Sequence, residues 1–196
     1  MAWGFLEHLL RQRKIRTVWV ESAGTYGWDG NPPTPEAILA MKEREIDLSL
    51  HRARRLAASM VEQADVVITM ASEHREAVSA LGPEAASRTF TIRELVRLLD
   101  GFPGHGNGSD TAQDRLRRAV AWADALRSSG TDPGGVMEDI ADPLGLSLAS
   151  FQATAWELEG LCRQLVDQFF GPEWTEAPAF DRTMFWGTGV TESGGT

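Results

Sequence analysis

T-V-W-V-E-S-A-G-T-Y-G-W-D-G-N-P-P-T-P, residues Thr17 to Pro35, decides the fold. Thr17 to Glu21 is short and rich in β-branched and aromatic residues, the composition of a strand. Ser22 to Pro33 is punctuated by glycine and proline and reads as a loop. Thr34 then offers a capping hydroxyl and Pro35 suits the first helical position. A helix therefore follows, carrying Ile38, Leu39 and Met41 to about Glu45. Strand, loop and helix in that order are a unit of an alternating α/β fold.

Upstream, Met1 to Lys14 is an amphipathic helix with Phe5, Leu6, Leu9 and Leu10 on one stripe. Downstream, Ser49 to Arg55 is a basic loop and Ser59 to Gln63 a helical turn. Val66 to Met70 (V-V-I-T-M) is almost wholly apolar, as a strand buried on both faces requires. Ser72 to Leu81 reads as helix, Arg88 to Thr91 as a third strand and Ile92 to Leu99 as another helix. Gly101 to Ser109 is a glycine-rich loop. Gln113 to Ser128 is helical, with Leu116, Val120, Ala123 and Leu126 inward. After the loop Asp139 to Gly145, Ser147 starts a long helix striped by Phe151, Ala155, Leu158, Cys162, Leu165 and Phe169. Gly171-Pro172 stops it.

These elements predict an α/β three-layer sandwich with a parallel sheet of about three strands. Residues 1–170 form one domain and 171–196 a disordered tail, in which Trp174, Phe185 and Trp186 are the residues able to dock. Three strands are few for 196 residues. A fourth, central strand is expected, and its natural place is before Met1.

Hydrophobic residues make up 42% of the chain, enough for a core. The formal charge of −9 argues against non-specific nucleic-acid or anionic-membrane binding, which needs a basic surface. The single cysteine, Cys162, excludes an intrachain disulfide framework and sits in an apolar helical stripe, as a small buried hydrophobe would. No apolar run approaches the ~20 residues of a membrane span. Phe5 to Leu10 is too short, and too broken by Glu7 and His8, for a signal peptide. The expectation is a soluble, cytoplasmic chain.

Four segments together resemble the low-molecular-weight protein tyrosine phosphatase family, which includes arginine phosphatases and some arsenate reductases. They are V-E-S-A-G-T-Y-G-W-D-G-N-P-P (Val20 to Pro33), I-D-L-S-L-H-R-A-R (Ile46 to Arg54), A-D-V-V-I-T-M (Ala64 to Met70) and D-I-A-D-P-L-G (Asp139 to Gly145). The resemblance runs from Met1 to about Phe170, with an insertion near Gly101 to Asp132. It implies hydrolysis of phosphomonoesters on phosphoprotein substrates, through a cysteinyl-phosphate intermediate, with neither cofactor nor metal. The family's C-x5-R loop supplies a thiolate that attacks phosphorus and cradles the phosphate. An aspartate before proline protonates the leaving oxygen and later activates water. By resemblance that aspartate is Asp142. Ser22 and His51 match the pair that braces the phosphate loop, and Trp28 matches a side chain that walls the cleft.

Plainer alternatives stand beside these roles. Ser22 can begin a turn, His51 can be a solvated loop histidine, Trp28 can pack on the sheet end and Asp142 can cap a turn. Arg52, Arg54 and Arg55 read as a solvated face. Leu144 stands where many members carry an aromatic, Glu45 where a glycine usually ends a helix, and Trp3-Gly4 where Glu-Ala is common. Trp3 and Gly4 read as relaxed constraint, Gly4 at a helix cost of ~1 kcal/mol.

The C-x5-R loop has no counterpart in the 196 residues. Met1-Ala2-Trp3 begins where the family has just completed that loop and a Ser-Pro pair. One expectation is therefore a shortened N-terminus, with C-x5-R-S-P encoded in frame upstream. The other is a pseudo-phosphatase that binds a protein partner, through the basic loop around Arg54. A thioredoxin-coupled arsenate reductase would need more cysteines for its relay and is set aside.

Overall fold

The structure is a computed structural model that describes residues 1–26, 29–104, 110–130 and 138–176. Along the chain run α1 (Ala2–Gln12), α2 (Pro35–Lys42), α3 (Ala58–Gln63), β1 (Val67–Thr69), α4 (Ser72–Leu81), a 3₁₀ turn (Pro83–Arg88), β2 (Thr89–Thr91), α5 (Ile92–Leu98), α6 (Ala112–Ser128) and α7 (Leu148–Phe170). Local signals set most of these boundaries. The Thr34 hydroxyl accepts from the Ala37 N–H at 3.2 Å with Pro35 at the first helical position, and Ser147 caps α7 through the Ser150 N–H. Thr91 with Glu94 and Thr111 with Asp114 form capping boxes that start α5 and α6. Gly171, at φ +84°, ends α7.

The helices lie on two sides of a small sheet. α7 is the spine of the larger core. Its stripe of Phe151, Ala155, Leu158, Cys162, Leu165 and Phe169 is buried, as its spacing requires. Phe5, Leu9 and Leu10 of α1, Met41 of α2 and Leu95 of α5 belong to the same cluster. Leu116, Val120 and Ala123 bring α6 into it, while Leu126 is only half-buried. A smaller core, Val61, Val78 and Ala85, lies under α3, α4 and the 3₁₀ turn. Val66, Ile68 and Met70 face the large core and Val67 the small one, so the sheet is the middle layer.

The sheet differs from the expected one. It is a parallel pair, β1 and β2, in register Val67↔Thr89, Ile68↔Phe90 and Thr69↔Thr91. The expected strand at Thr17–Glu21 is not formed. Its burial still alternates: Val18 and Val20 are half-buried, whereas Trp19 is 88% exposed. A strand also needs a ladder partner, and none of the described residues supplies one. The Val20 carbonyl instead accepts from the Trp3 indole N–H at 3.0 Å. The Thr17 N–H donates to the Glu176 carboxylate at 3.1 Å.

Two departures noted in the sequence acquire physical causes. Glu45 has φ +60°, the left-handed position at which a glycine is usual, and closes α2 with its N–H on the Lys42 carbonyl at 3.0 Å. Gly4 is not a sign of relaxed constraint. A Cβ there would stand 3.0 Å from Leu48 Cδ2 and 3.2 Å from both Ile46 Cγ2 and Met41 Cε, so glycine lets α1 close on the segment after α2.

The expected disordered tail, 171–196, begins with described structure. Trp174 stacks on Phe170 with ring centroids 5.6 Å apart. Residues 177–196, with Phe185 and Trp186, lie outside the described residues. None of the helices, among the described residues, is long and apolar enough to cross a membrane.

Candidate functional site

Two loops carry the expected site residues. The first begins at Ser22. It is laced to the basic segment by Gly24 N–H on the Arg54 carbonyl, Leu56 N–H on Gly24, Gly30 N–H on Ala53 and Ala53 N–H on Asn31, each at 2.9 Å. Asp47 orders the approach to His51 by accepting from the Ser49 N–H at 2.8 Å and the Ser49 hydroxyl at 3.0 Å. These bonds bring Ser22 and His51, 29 residues apart, together: Ser22 Oγ lies 3.4 Å from His51 Nε2. The Arg54 guanidinium donates to the Ser22 carbonyl at 3.4 Å and stands 3.6 Å from the Glu21 carboxylate.

Trp3 completes this cluster. Its ring centroid is 4.8 Å from that of His51, and its indole N–H holds Val20. The sequence reading missed it, because helical periodicity ranks Trp3 as a flank of the α1 stripe. Its substitution at a family-typical Glu-Ala was the available signal. Trp3 does not mark slack; it fills the space beside His51.

His51 is held below the ordinary histidine range, first by burial, then by the Met1 ammonium and the Arg54 and Arg52 guanidinium groups. The depressed value fixes a sign. The unfolded chain takes up this proton more readily, so His51 contributes stability above the usual pKa of about 6.5 that is lost as pH falls through the folded value. Urea midpoints measured from pH 7.5 down to pH 5 are expected to fall more steeply for the wild type than for His51→Gln. Parallel curves would contradict the environment described.

The second loop carries Asp142. It docks at the C-terminal end of β1, where the Ile140 N–H donates to the Met70 carbonyl at 2.7 Å. Asp139 ties it to the start of α4 by accepting from the Ser72 hydroxyl at 2.7 Å and the Ser72 N–H at 2.8 Å. These bonds hold its carboxyl below the usual range. Asp142 Oδ1 accepts from the Leu144 N–H at 3.0 Å, which makes an Asx turn across Pro143. Among the described residues Oδ2 has no partner, and no hydrogen bond links Asp142 to Ser22 or His51. Leu144 is 67% exposed.

Trp28 lies outside the described residues. Arg52 folds back onto the carbonyls of Ser49 and His51. Cys162 is fully buried in α7, donates weakly to the Ala2 carbonyl at 3.9 Å, and has its thiol pushed up to about 12 by burial. Thr25, Tyr26, Glu73 and Ala77 line an open hollow of about 240 Å³. Tyr26, the chain's single tyrosine, is 88% exposed there. Among the described residues no group of three or more His, Cys, Asp or Glu side chains converges as metal ligands would.

The family model described as low molecular weight phosphotyrosine protein phosphatase matches residues 1–101. The low molecular weight protein-tyrosine-phosphatase Etp of Escherichia coli K12 is 35% identical over 124 residues, 61% of this chain and 83% of that protein. The protein-arginine-phosphatase of Geobacillus stearothermophilus is 27% identical over 160 residues, 82% of each chain. The crystal structure of the low molecular weight protein tyrosine phosphatase from T. tengcongensis superposes with a TM-score of 0.62 at 27% identity, covering 85% of this chain and 88% of that one. This chain belongs to the low molecular weight phosphotyrosine protein phosphatase family.

Proposed function

We propose that Ser22, His51 and Asp142 are the supporting and acid-bearing parts of a phosphomonoesterase site, and that the 196-residue chain does not by itself turn over a phosphoester. The observation that carries the first half is the Ser22–His51 contact, 3.4 Å across 29 residues, as the family's loop-bracing pair would place them. In this reading Asp142 Oδ2, unpartnered on its exposed turn, gives its proton to the leaving atom of the substrate and later takes one from water. Ser22 and His51 position the loop that holds the phosphoryl group. The substrate class is a phosphorylated protein side chain. Relatives named for tyrosine and for arginine phosphatase activity both support that class.

The second half follows from chemistry the chain lacks. Cys162 is the only thiol, and it is buried and protonated. Without a thiolate and its arginine no cysteinyl-phosphate forms. One observation favours the alternative, a non-catalytic binding module: Trp3 already occupies the space beside His51 and satisfies Val20. Fusing a strand and a C-x5-R-S-P loop ahead of Met1 separates the two halves. The fusion is expected to hydrolyse an aryl phosphate, and Asp142→Asn to lower its kcat by about 10²–10⁴-fold. Undiminished turnover in the Asp142→Asn fusion would remove the acid from the proposal, and an inactive but folded fusion favours the binding module.

A further inference from the structure

The open hollow lined by Thr25, Tyr26, Glu73 and Ala77 is joined to both halves of the candidate site. Thr25 and Tyr26 follow Gly24, which is stitched to Arg54 and Leu56 on the loop that brings His51 to Ser22. Glu73 follows Ser72, to which Asp139 ties the loop that carries Asp142. Arg75 then holds the first turn of α4 to the buried Glu94 of α5 at 3.2 Å. Both walls therefore stand on anchored backbone.

The lining suits a cation on an alkyl stem. Tyr26 is 88% exposed, and its ring has no partner among the described residues. The Glu73 side chain is 77% exposed, and its one ionic neighbour among the described residues is the His74 imidazole at 3.8 Å. A carboxylate pairs with an ammonium or guanidinium, and a tyrosine face attracts either through its quadrupole. Thr25 and Ala77 supply methyl groups, against which the stem of a lysine or arginine packs. An anionic side chain would be repelled by Glu73, and a purely apolar one would dehydrate the carboxylate without pairing it.

Size points the same way. Pockets for drug-sized ligands run to roughly 300–1,000 Å³ and enclose them. At about 240 Å³ and open to solvent, this hollow suits a single side chain of a larger partner rather than a free small molecule. The formal charge of −9 adds a general attraction for a basic segment.

We propose that Tyr26 and Glu73 form a specificity subsite for a lysine or arginine that flanks the phosphorylated residue of a protein substrate. The inference rests on the phosphoprotein substrate class proposed above, but its test needs no turnover, so failure of the Asp142→Asn fusion leaves its readout untouched. The probes are the unphosphorylated tripeptides N-acetyl-Gly-Arg-Gly amide and its norleucine counterpart, titrated into the full chain and followed by amide NMR. The arginine peptide is expected to shift the Tyr26, Glu73 and Ala77 amides to saturation, with a Kd of about 1–10 mM. Its affinity is expected to fall at least about threefold with Glu73→Gln or Tyr26→Leu, and to be at least about threefold above that of the norleucine peptide. Unmoved α7 amides report that each variant keeps the fold. Shifts that do not saturate at these three residues overturn the proposal. Equal affinity for the two peptides also overturns it and makes the hollow an apolar contact, as does an affinity that neither substitution changes.

Discussion

Glu94→Ala is expected to destabilise the chain by about 3 kcal/mol, lowering Tm by roughly 6–12 °C. Glu94 is only 4% exposed, yet it joins three helices. From α5 its Oε2 accepts from Arg75 of α4 at 3.2 Å and from the Thr91 N–H at 3.2 Å, closing the capping box. Its Oε1 lies 3.6 Å from Arg127 of α6. Arg127 also donates to the carbonyls of Thr89 at 2.9 Å and Ala86 at 2.7 Å, and its guanidinium covers the Phe90 ring at 4.2 Å. Removing the carboxylate leaves the Arg75 guanidinium without its counter-charge and the Arg127 guanidinium with Asp124 alone, at 3.0 Å. Both are partly exposed and rehydrate, which places the loss at the low end of the 3–5 kcal/mol for a broken buried pair. Glu94→Gln keeps the acceptor for Thr91 and is expected to cost about 1–2 kcal/mol. Equal losses for the two variants in urea melts would show that the charge is not what matters.

The Glu94 network also shows what a linear sequence withholds. The capping box, Thr91 with Glu94, is a local pattern and could have been read from spacing alone. That Arg75 and Arg127 meet there depends on how α4 and α6 pack. The α7 stripe and the caps at Thr34 and Ser147 were legible because each is a short-range pattern. Thr17–Glu21 was legible as a short β-rich segment but not as an unpaired one, since a ladder depends on a partner elsewhere in the chain. Ser22 and His51 were found through resemblance, and their contact through the folded loops. Trp3 and Gly4 were misjudged for one reason: both answer to residues far along the chain, His51 for one and Met41 to Leu48 for the other.

The largest effect expected is on catalysis. A thiol near pKa 12 is thiolate to only about one part in 10⁵ at pH 7, and Cys162 is also sealed inside α7. Under the proposed function Asp142 assists the departure of a leaving group only after something attacks phosphorus. Under the proposed function the Ser22–His51 pair braces and does not attack: Ser22 Oγ lies 3.4 Å from His51 Nε2, and the imidazole is held below the ordinary histidine range. The most direct measurement is hydrolysis of an aryl phosphate by the purified 196-residue chain, beside Asp142→Ala and Cys162→Ser. Release no faster than in buffer, unchanged by either substitution, is the predicted result. Robust turnover abolished by Asp142→Ala would contradict it, and sensitivity to Cys162→Ser as well would identify the buried thiol as the nucleophile after all.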